Sequence, residues 1–311
     1  MVTAGITPRG EELRGHLAML LFSALVAGSF SLGARIANDI DPVALTAVRF
    51  VLAAVLMGVA ALATGGVPRG SFGSPWRYAV TGGLFAFYFI AMFEGLKTAA
   101  PVPTAAVFTL TPLMAAGFGW WIMSQRTTPG MALALMLGGL GAIWVIFRGD
   151  LAALVALEVG RGEAIYFVGC IAHALYIPMV QKLGRGEGVF AFAFGTLTVG
   201  AVLLLVIGAP RIVATGWLTL PWAVWGGLAY LVVFASFASI SLLQYASMRL
   251  KAAKVMAYTY LTPTFVILWE LALTGRLPGG LVLPGIGLTV VALAVLLREG
   301  RLNPAARPTG S

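Results

Sequence analysis

The sequence predicts an all-α polytopic membrane protein of ten transmembrane helices, arranged as two inverted repeats of five with both termini in the cytoplasm. Composition predicts the class: 60% of the 311 residues are hydrophobic, 10% are charged, and the mean hydropathy is +0.96. A soluble domain cannot cover that much apolar surface. The tripeptide Leu-Thr-Pro indicates the repeat, because it occurs at residues 110–112 and again at 261–263 within two similar stretches.

Ten stretches are long enough to cross the bilayer. A helix needs about 20 mostly apolar residues to cross about 30 Å of hydrocarbon. The first stretch lacks a small-residue cleavage pattern, so we expect it to be retained and not removed as a signal peptide. Bounded by charges or by Pro and Gly, the predicted spans are 16–35, 43–64, 76–97, 102–123, 130–147, 163–182, 189–208, 221–245, 252–273 and 281–297.

The distribution of lysine and arginine predicts the orientation of these spans. Thirteen of the 20 basic residues fall on the side of both termini, six fall on the opposite side, and Arg49 lies inside the second span. This bias predicts a cytoplasmic N-terminal segment (1–15) and a cytoplasmic tail (298–311) in the inner, or cytoplasmic, membrane. Topology and attraction to anionic lipid headgroups account for the net charge of +9, so we expect the lipid bilayer, and no nucleic acid, as a partner.

Cysteine and histidine are too scarce for several chemistries. Cys170 is the only cysteine, and His16 and His173 are the only histidines. No span contains a His-x-x-x-His motif or an acidic cluster. We therefore predict no metal and no cofactor. A membrane-embedded enzyme that modifies lipids is an alternative, but it needs a nucleophile with a positioned base, and the single mid-membrane histidine has no nearby acid in its span.

The internal repeat predicts the domain organisation. The Leu-Thr-Pro tripeptides align, and so do the Pro-Gly pairs at 129–130 and 278–279. The repeats then cover residues 16–147 and 163–297. Because each contains five spans, an odd number, the second enters the membrane inverted relative to the first. Secondary transporters use this architecture and hold substrate near the midplane, where the repeats meet.

Several motifs resemble those of a known family. They are the sequence PVALTAVRF (42–50), the mid-helix proline of the fourth span and the Gly-rich fifth span. They resemble the drug/metabolite transporter superfamily, and more narrowly its EamA-type ten-helix exporters; the aromatic interior is most similar to YddG-type aromatic amino acid exporters. The resemblance covers residues 16–297 and implies that spans one, three, four, six, eight and nine line a central path. The chain departs from the family at Ala27, which replaces a frequent tryptophan, and at 124–126 and 274–276, which lack a frequent glutamate.

Pro112 and Pro263 are predicted to act as hinges. Each lacks an N–H and displaces the carbonyl of the residue four positions earlier, which leaves backbone groups to be satisfied without water. Their symmetric positions favour a role in bending or in shaping a cavity. A simple packing kink is the alternative.

Residues that combine an apolar face with a hydrogen-bonding group are abundant on the path-lining spans. Such groups suit an amphipathic substrate with an aromatic or aliphatic side chain. Packing against lipid is the alternative for many of them. The predicted substrate cavity comprises Phe30, Tyr78, Tyr88, Phe108, Thr111, His173, Tyr176, Gln244, Tyr260, Thr262 and Trp269.

Ionisable residues inside the spans are candidates for coupling or for structural pairs. Glu94 and Glu270 are possible proton-coupling residues, although Glu94 is spaced for an ion pair with Lys97. Arg49 is expected to have a structural role, by snorkelling or by pairing with an acid such as Asp41.

Glycines recur at matching positions of the fifth and tenth spans. They allow close helix approach, either within the chain or in a dimer; we expect a monomer. The residues are Gly138, Gly139, Gly141, Gly285 and Gly287.

Together these features predict an exporter of small-molecule metabolites, chiefly aromatic and other apolar amino acids, that works by alternating access. An exporter of cationic drug-like or nucleotide-type compounds is the alternative within transport.

Overall fold

The computed structural model describes residues 8–68, 70–250, 255, 257–276 and 279–302. All regular elements in these ranges are helical. Nine of the helical segments are long and apolar enough to cross a membrane, so the chain is a multi-pass membrane protein. The predicted ninth span (252–273) lies partly outside the described residues, and its described helix is too short to count among the nine.

The first half contains five predicted spans, of which the fourth is divided into two helices. The elements are α1 (Pro8–Ile36), α2 (Pro42–Ala63), α3 (Trp76–Leu96), α4 (Pro101–Phe108), α5 (Thr111–Met123) and α6 (Pro129–Ile146), with a 3₁₀ turn at Ser71–Gly73.

A short helix, α7 (Leu151–Val155), connects the two halves. In the second half, a π-helical turn (Val233–Ala238) joins two helices into the predicted eighth span. The helices are α8 (Arg161–Leu183), α9 (Val189–Ile207), α10 (Ala209–Ala214), α11 (Trp222–Val232), α12 (Ser239–Ser247), α13 (Thr262–Thr274) and α14 (Leu283–Leu302). Further 3₁₀ turns cover Trp217–Thr219, Tyr258–Leu261 and Gly280–Val282.

Both Leu-Thr-Pro tripeptides interrupt their spans with nearly the same backbone conformation. Leu110 (φ −76°, ψ −18°) precedes α5, and Leu261 (φ −81°, ψ −9°) precedes α13. Each Thr-Pro pair therefore occupies the first turn of a new helix, where a missing N–H leaves no hydrogen bond unmade. The Thr109 hydroxyl donates to the Ala106 carbonyl at 2.7 Å just before the first break. Each of these spans is thus broken at its proline, as the sequence predicts.

The two halves interlock. α2 packs on α9, and α6 packs on α14, so the second and fifth spans of each half contact their counterparts in the other half. α3 packs on α8, while α1 packs on α12 and α13. Because each of these contacts joins a helix of one half to a helix of the other, the halves do not form separate bundles.

Glycines allow the closest of these approaches, between α6 and α14. A Cβ added to Gly141 would lie 2.6 Å from the Gly285 carbonyl oxygen, and one added to Gly285 would lie 2.7 Å from the Gly141 carbonyl oxygen. Gly138 similarly receives the ring of Tyr260, whereas Gly287 has open space around it. Packing within one chain therefore accounts for three of the five glycines.

Candidate functional site

Rings from both halves of the chain meet around His173 on α8. The centroid of its imidazole lies 4.4 Å from that of Tyr88 and 6.1 Å from that of Phe85, both on α3. Phe108 on α4 lies 5.7 Å away, and Tyr176, one turn along α8, lies 5.8 Å away. We call these five residues the His173 cluster.

Two further aromatic residues close one side of the His173 cluster. The Tyr166 hydroxyl is 2.9 Å from the Tyr88 hydroxyl. Phe30 on α1 lies 5.9 Å from both Phe108 and Tyr166, and the side chains of Phe30 and Tyr166 are fully buried. The sequence prediction omitted Tyr166. Its spacing of seven residues from His173 places both on one face of α8, and this spacing is the signal that would have identified it.

The His173 cluster presents apolar ring faces together with a polar atom that has no partner. The imidazole Nδ1 is buried and has no hydrogen-bond partner in the part of the chain that the structure describes. Phe85 stacks nearly parallel to Tyr176, with centroids 4.8 Å apart. An aromatic or aliphatic group can pack among such rings, and a polar group of the same ligand can satisfy the imidazole.

Arg49 on α2 reaches the same region through Phe89. Its guanidinium carbon lies 3.8 Å above the Phe89 ring centroid, and its Nε and Nη2 donate to Ser236 Oγ at 3.1 and 3.0 Å. The side chain is 1% exposed. Arg49 therefore does not snorkel. The suggested partner, Asp41, instead accepts the N–H groups that begin α2.

Comparison with known proteins assigns the family. Residues 13–147 and 160–298 each match the EamA-like transporter family. The chain belongs to the EamA-like transporter family. The protein of Bacillus subtilis (strain 168) named "Uncharacterized transporter YyaM" is 25% identical over 292 residues, which are 93% of this chain and 95% of that protein.

A second relative, from Archaeoglobus fulgidus, is named "Uncharacterized transporter". It is 24% identical over 273 residues, and the match covers 82% of this chain and 87% of the relative's length. A solved crystal structure shares the fold, with a TM-score of 0.65 at 21% identity over 94% of this chain and 98% of the other. The relatives' names indicate membrane transport.

Four of the predicted cavity residues lie in the His173 cluster of this EamA-like chain, and a fifth, Phe30, borders the cluster. The four are Tyr88, Phe108, His173 and Tyr176. Trp269 lies elsewhere: its Nε1 donates to the Ala24 carbonyl at 2.9 Å and its ring meets Tyr230 edge-on. Tyr260 packs among apolar residues of α6 and α14. Gln244 is half-buried on α12.

The hydroxyls of Thr111 and Thr262 occupy equivalent positions at the two helix breaks. Both side chains are buried, and neither Oγ1 has a hydrogen-bond partner among the described residues. Pro112 and Pro263, which follow them, are buried as well. The two breaks therefore match in backbone, in burial and in an unused hydroxyl.

The two predicted coupling carboxylates differ in their surroundings. Glu94 pairs with Lys97 at 2.8 Å, the ion pair that helical spacing predicts. Glu270 is half-buried on α13, and its Oε1 has no hydrogen-bond partner within the described ranges. Of these two carboxylates, Glu270 is therefore the one with a buried oxygen that accepts no hydrogen bond from the described residues.

Tyr78, the remaining predicted cavity residue, lies beside an ion pair that the sequence did not predict. At the start of α3, Arg77 Nη2 donates to Glu187 Oε1 at 2.8 Å, and Nη1 donates to the Leu183 carbonyl at 2.7 Å. The side chains of Arg77 and Glu187 are 1% and 5% exposed. Through Leu183 and Glu187, Arg77 fastens the start of α3 to the end of α8 and to the loop that follows it; α3 and α8 are the two helices that carry most of the His173 cluster.

The ionisation of Glu187 follows from its hydrogen bonds. Burial alone would raise the pKa of this carboxyl, but the hydrogen bonds from the Arg77 guanidinium and the Arg185 backbone N–H lower the pKa below its ordinary value of 4.5. The ionised form of Glu187 is therefore more stable, relative to its protonated form, in the folded protein than in the unfolded chain. The resulting stabilisation is present above about pH 4.5 and is lost as the pH falls through the folded-state pKa.

Glu187→Gln is expected to lower the free energy of unfolding by about 3–5 kcal/mol, because it leaves the buried Arg77 charge uncompensated. Thermal unfolding of the purified protein in detergent measures the change. Glu94→Gln is the matched control, since it breaks a half-exposed pair, and pairs near the surface contribute about 0–1 kcal/mol. The Glu187 variant should also lose part of the drop in stability below about pH 4.5. Equal melting temperatures for the two variants would contradict this role.

Proposed function

We propose that the protein exports small amphipathic metabolites, chiefly aromatic and other apolar amino acids, from the cytoplasm by alternating access through a central path. The His173 cluster is the observation that carries this proposal. It lies where helices of the two halves meet, and it combines ring faces with an unpartnered imidazole nitrogen. Transporters built from inverted repeats hold substrate at such a place.

The proposal includes ten spans, cytoplasmic termini and an inner-membrane location, with one chain as the functional unit. The distribution of basic residues supports the orientation. The contact between Gly141 and Gly285 supports the single chain, because these glycines are already used within it.

Bending at the two Leu-Thr-Pro breaks would open the path to one side and then to the other. Packing around the breaks supports this movement. α4 is buried along nearly its whole length, whereas most of α5 beyond Pro112 is exposed or half-buried. The segment before Pro112 thus has more contacts within the protein than the helix after it, and in the ninth span the same change from buried to exposed comes one turn after Pro263, beyond Ile267.

Efflux of labelled phenylalanine from preloaded proteoliposomes tests the substrate. We expect efflux above that of empty liposomes, and a loss of about tenfold in His173→Leu and Tyr88→Ala, because ring contacts contribute about 0.5–1.5 kcal/mol each. Trp121→Leu is the control, since Trp121 is 74% exposed on α5. Repeating the assay with an imposed pH gradient tests proton coupling. If proteoliposomes with the unmodified protein release phenylalanine no faster than empty liposomes, the proposal is contradicted.

Pro112→Ala and Pro263→Ala test the hinges. Each should reduce transport more than the yield of folded protein, because an added N–H allows a continuous, stiffer helix. Pro129→Ala is the control, since Pro129 begins α6 and interrupts no span. Retention of wild-type transport by both hinge variants would show that the breaks only shape the cavity.

A further inference from the structure

We propose that Arg49 binds the carboxylate of the transported substrate, so that the protein selects aromatic carboxylates in general, with or without an amino group. This inference rests on the proposed function and specifies the chemistry of its substrate. It assigns a ligand-binding role to a residue for which the sequence predicts a structural one.

The charge of Arg49 is buried without an anionic partner. Its side chain is 1% exposed, and no Asp or Glu in the described part of the chain lies within 4.0 Å of its nitrogens. The other deeply buried arginine, Arg77, is neutralised by Glu187. An isolated buried charge is strongly unfavourable, so a fold that keeps one without an acid leaves its counter-charge to be supplied by a ligand.

The hydrogen bonds of Arg49 leave donor capacity unused. Nε and Nη2 share one acceptor, Ser236 Oγ, whose own proton goes to the Leu231 carbonyl at 2.8 Å. Nη1 is buried with no acceptor among the described residues. A planar guanidinium with a free Nη1 can donate charge-assisted hydrogen bonds to a carboxylate.

The surroundings fix the guanidinium in place. Ser236 lies in the π-helical turn between α11 and α12, a type of local irregularity that is frequent at functional sites. The Phe89 ring supports the guanidinium from one face at 3.8 Å. Arg49 is therefore held in one orientation before a ligand arrives, which lowers the entropic cost of binding.

Arg49 lies next to the His173 cluster. The Phe89 ring beneath the guanidinium is 4.7 Å from Phe85 and 4.8 Å from Tyr88, centroid to centroid. Tyr88 in turn contacts His173, with ring centroids 4.4 Å apart. One layer of rings thus separates the cationic group from the cluster. A ligand that contacts both groups therefore needs a short aliphatic chain between its ring and its carboxylate, and this chain has to pass the Phe89 ring.

A series of ligands separates carboxylate recognition from aromatic recognition. The purified full-length protein is melted with phenylalanine, 3-phenylpropanoate, phenylalaninamide, phenethylamine and inorganic phosphate. We expect the two carboxylates to stabilise the wild type, with affinities at least about tenfold above those of the amide and the amine. Stabilisation by phosphate but not by 3-phenylpropanoate would overturn the inference, as would equal affinity for phenylalanine and its amide.

Arg49→Gln and Arg49→Lys test the residue itself. Arg49→Gln should lower the affinity for phenylalanine and 3-phenylpropanoate by at least about tenfold and leave that for phenylalaninamide unchanged, while Arg49→Lys retains part of the preference. Ser236→Ala removes the acceptor that fixes the guanidinium and should weaken the two carboxylates more than phenylalaninamide, whereas Trp121→Leu, on the exposed face of α5, is the control and should change none of the affinities. A loss of all aromatic ligands in Arg49→Gln would indicate a structural role. If the variants fail to fold, the ligand series on the wild type still shows whether the protein recognises the carboxylate.

The outcomes for the two proposals are distinguishable. If no aromatic compound binds or is transported, the proposed function fails. If aromatic compounds are transported without regard to the carboxylate, the role of Arg49 fails and the exporter proposal stands.

Discussion

Hydrocarbon supplies no hydrogen bonds, and this constraint governs where the chain can place its polar groups. Each unsatisfied group inside a membrane is costly, so irregular backbone is tolerated only where protein or a water-filled cavity surrounds it. The helix breaks at Thr111 and Thr262 obey this rule, since both residues are buried. The same constraint makes each unused polar atom informative. Besides the two threonine hydroxyls, His173 Nδ1 and Arg49 Nη1 lack partners within the described residues.

These four groups lie on four different helices, α2, α5, α8 and α13, and seven further buried side-chain atoms of the described residues also lack partners. α3 and α8 supply most of the His173 cluster, and the Arg77–Glu187 pair fastens one end of α3 to the end of α8. The opposite ends of the same two helices approach through Gly95 and Gly162, each of which leaves no room for a Cβ. A pair of helices fastened at both ends therefore holds most of the cluster, and α4 of the broken fourth span supplies Phe108. The proposed alternating access would use this division between fixed and interrupted elements.

The sequence was sufficient for features that depend on local pattern. Apolar length predicted nine spans that the structure contains, and proline chemistry predicted the breaks at Pro112 and Pro263. It was insufficient for contacts between residues far apart in the chain. Neither Ser236 beneath Arg49 nor Glu187 beside Arg77 follows from periodicity, because the pairing depends on how helices of different halves pack. Aromatic composition likewise indicated a cavity but did not separate Tyr88, which contacts His173, from Tyr260, which packs on α6 and α14.

The most direct test of the central claim is whether substrate occupies the His173 cluster. Cys170 is the only cysteine, so Cys170→Ala gives a background in which Tyr176→Cys places a single thiol in the cluster. The rate of its reaction with a water-soluble thiol reagent is measured with and without saturating phenylalanine. The account predicts a reactive thiol that phenylalanine protects. A thiol that reacts at the same rate in both conditions, or that water-soluble reagents never reach, would contradict it.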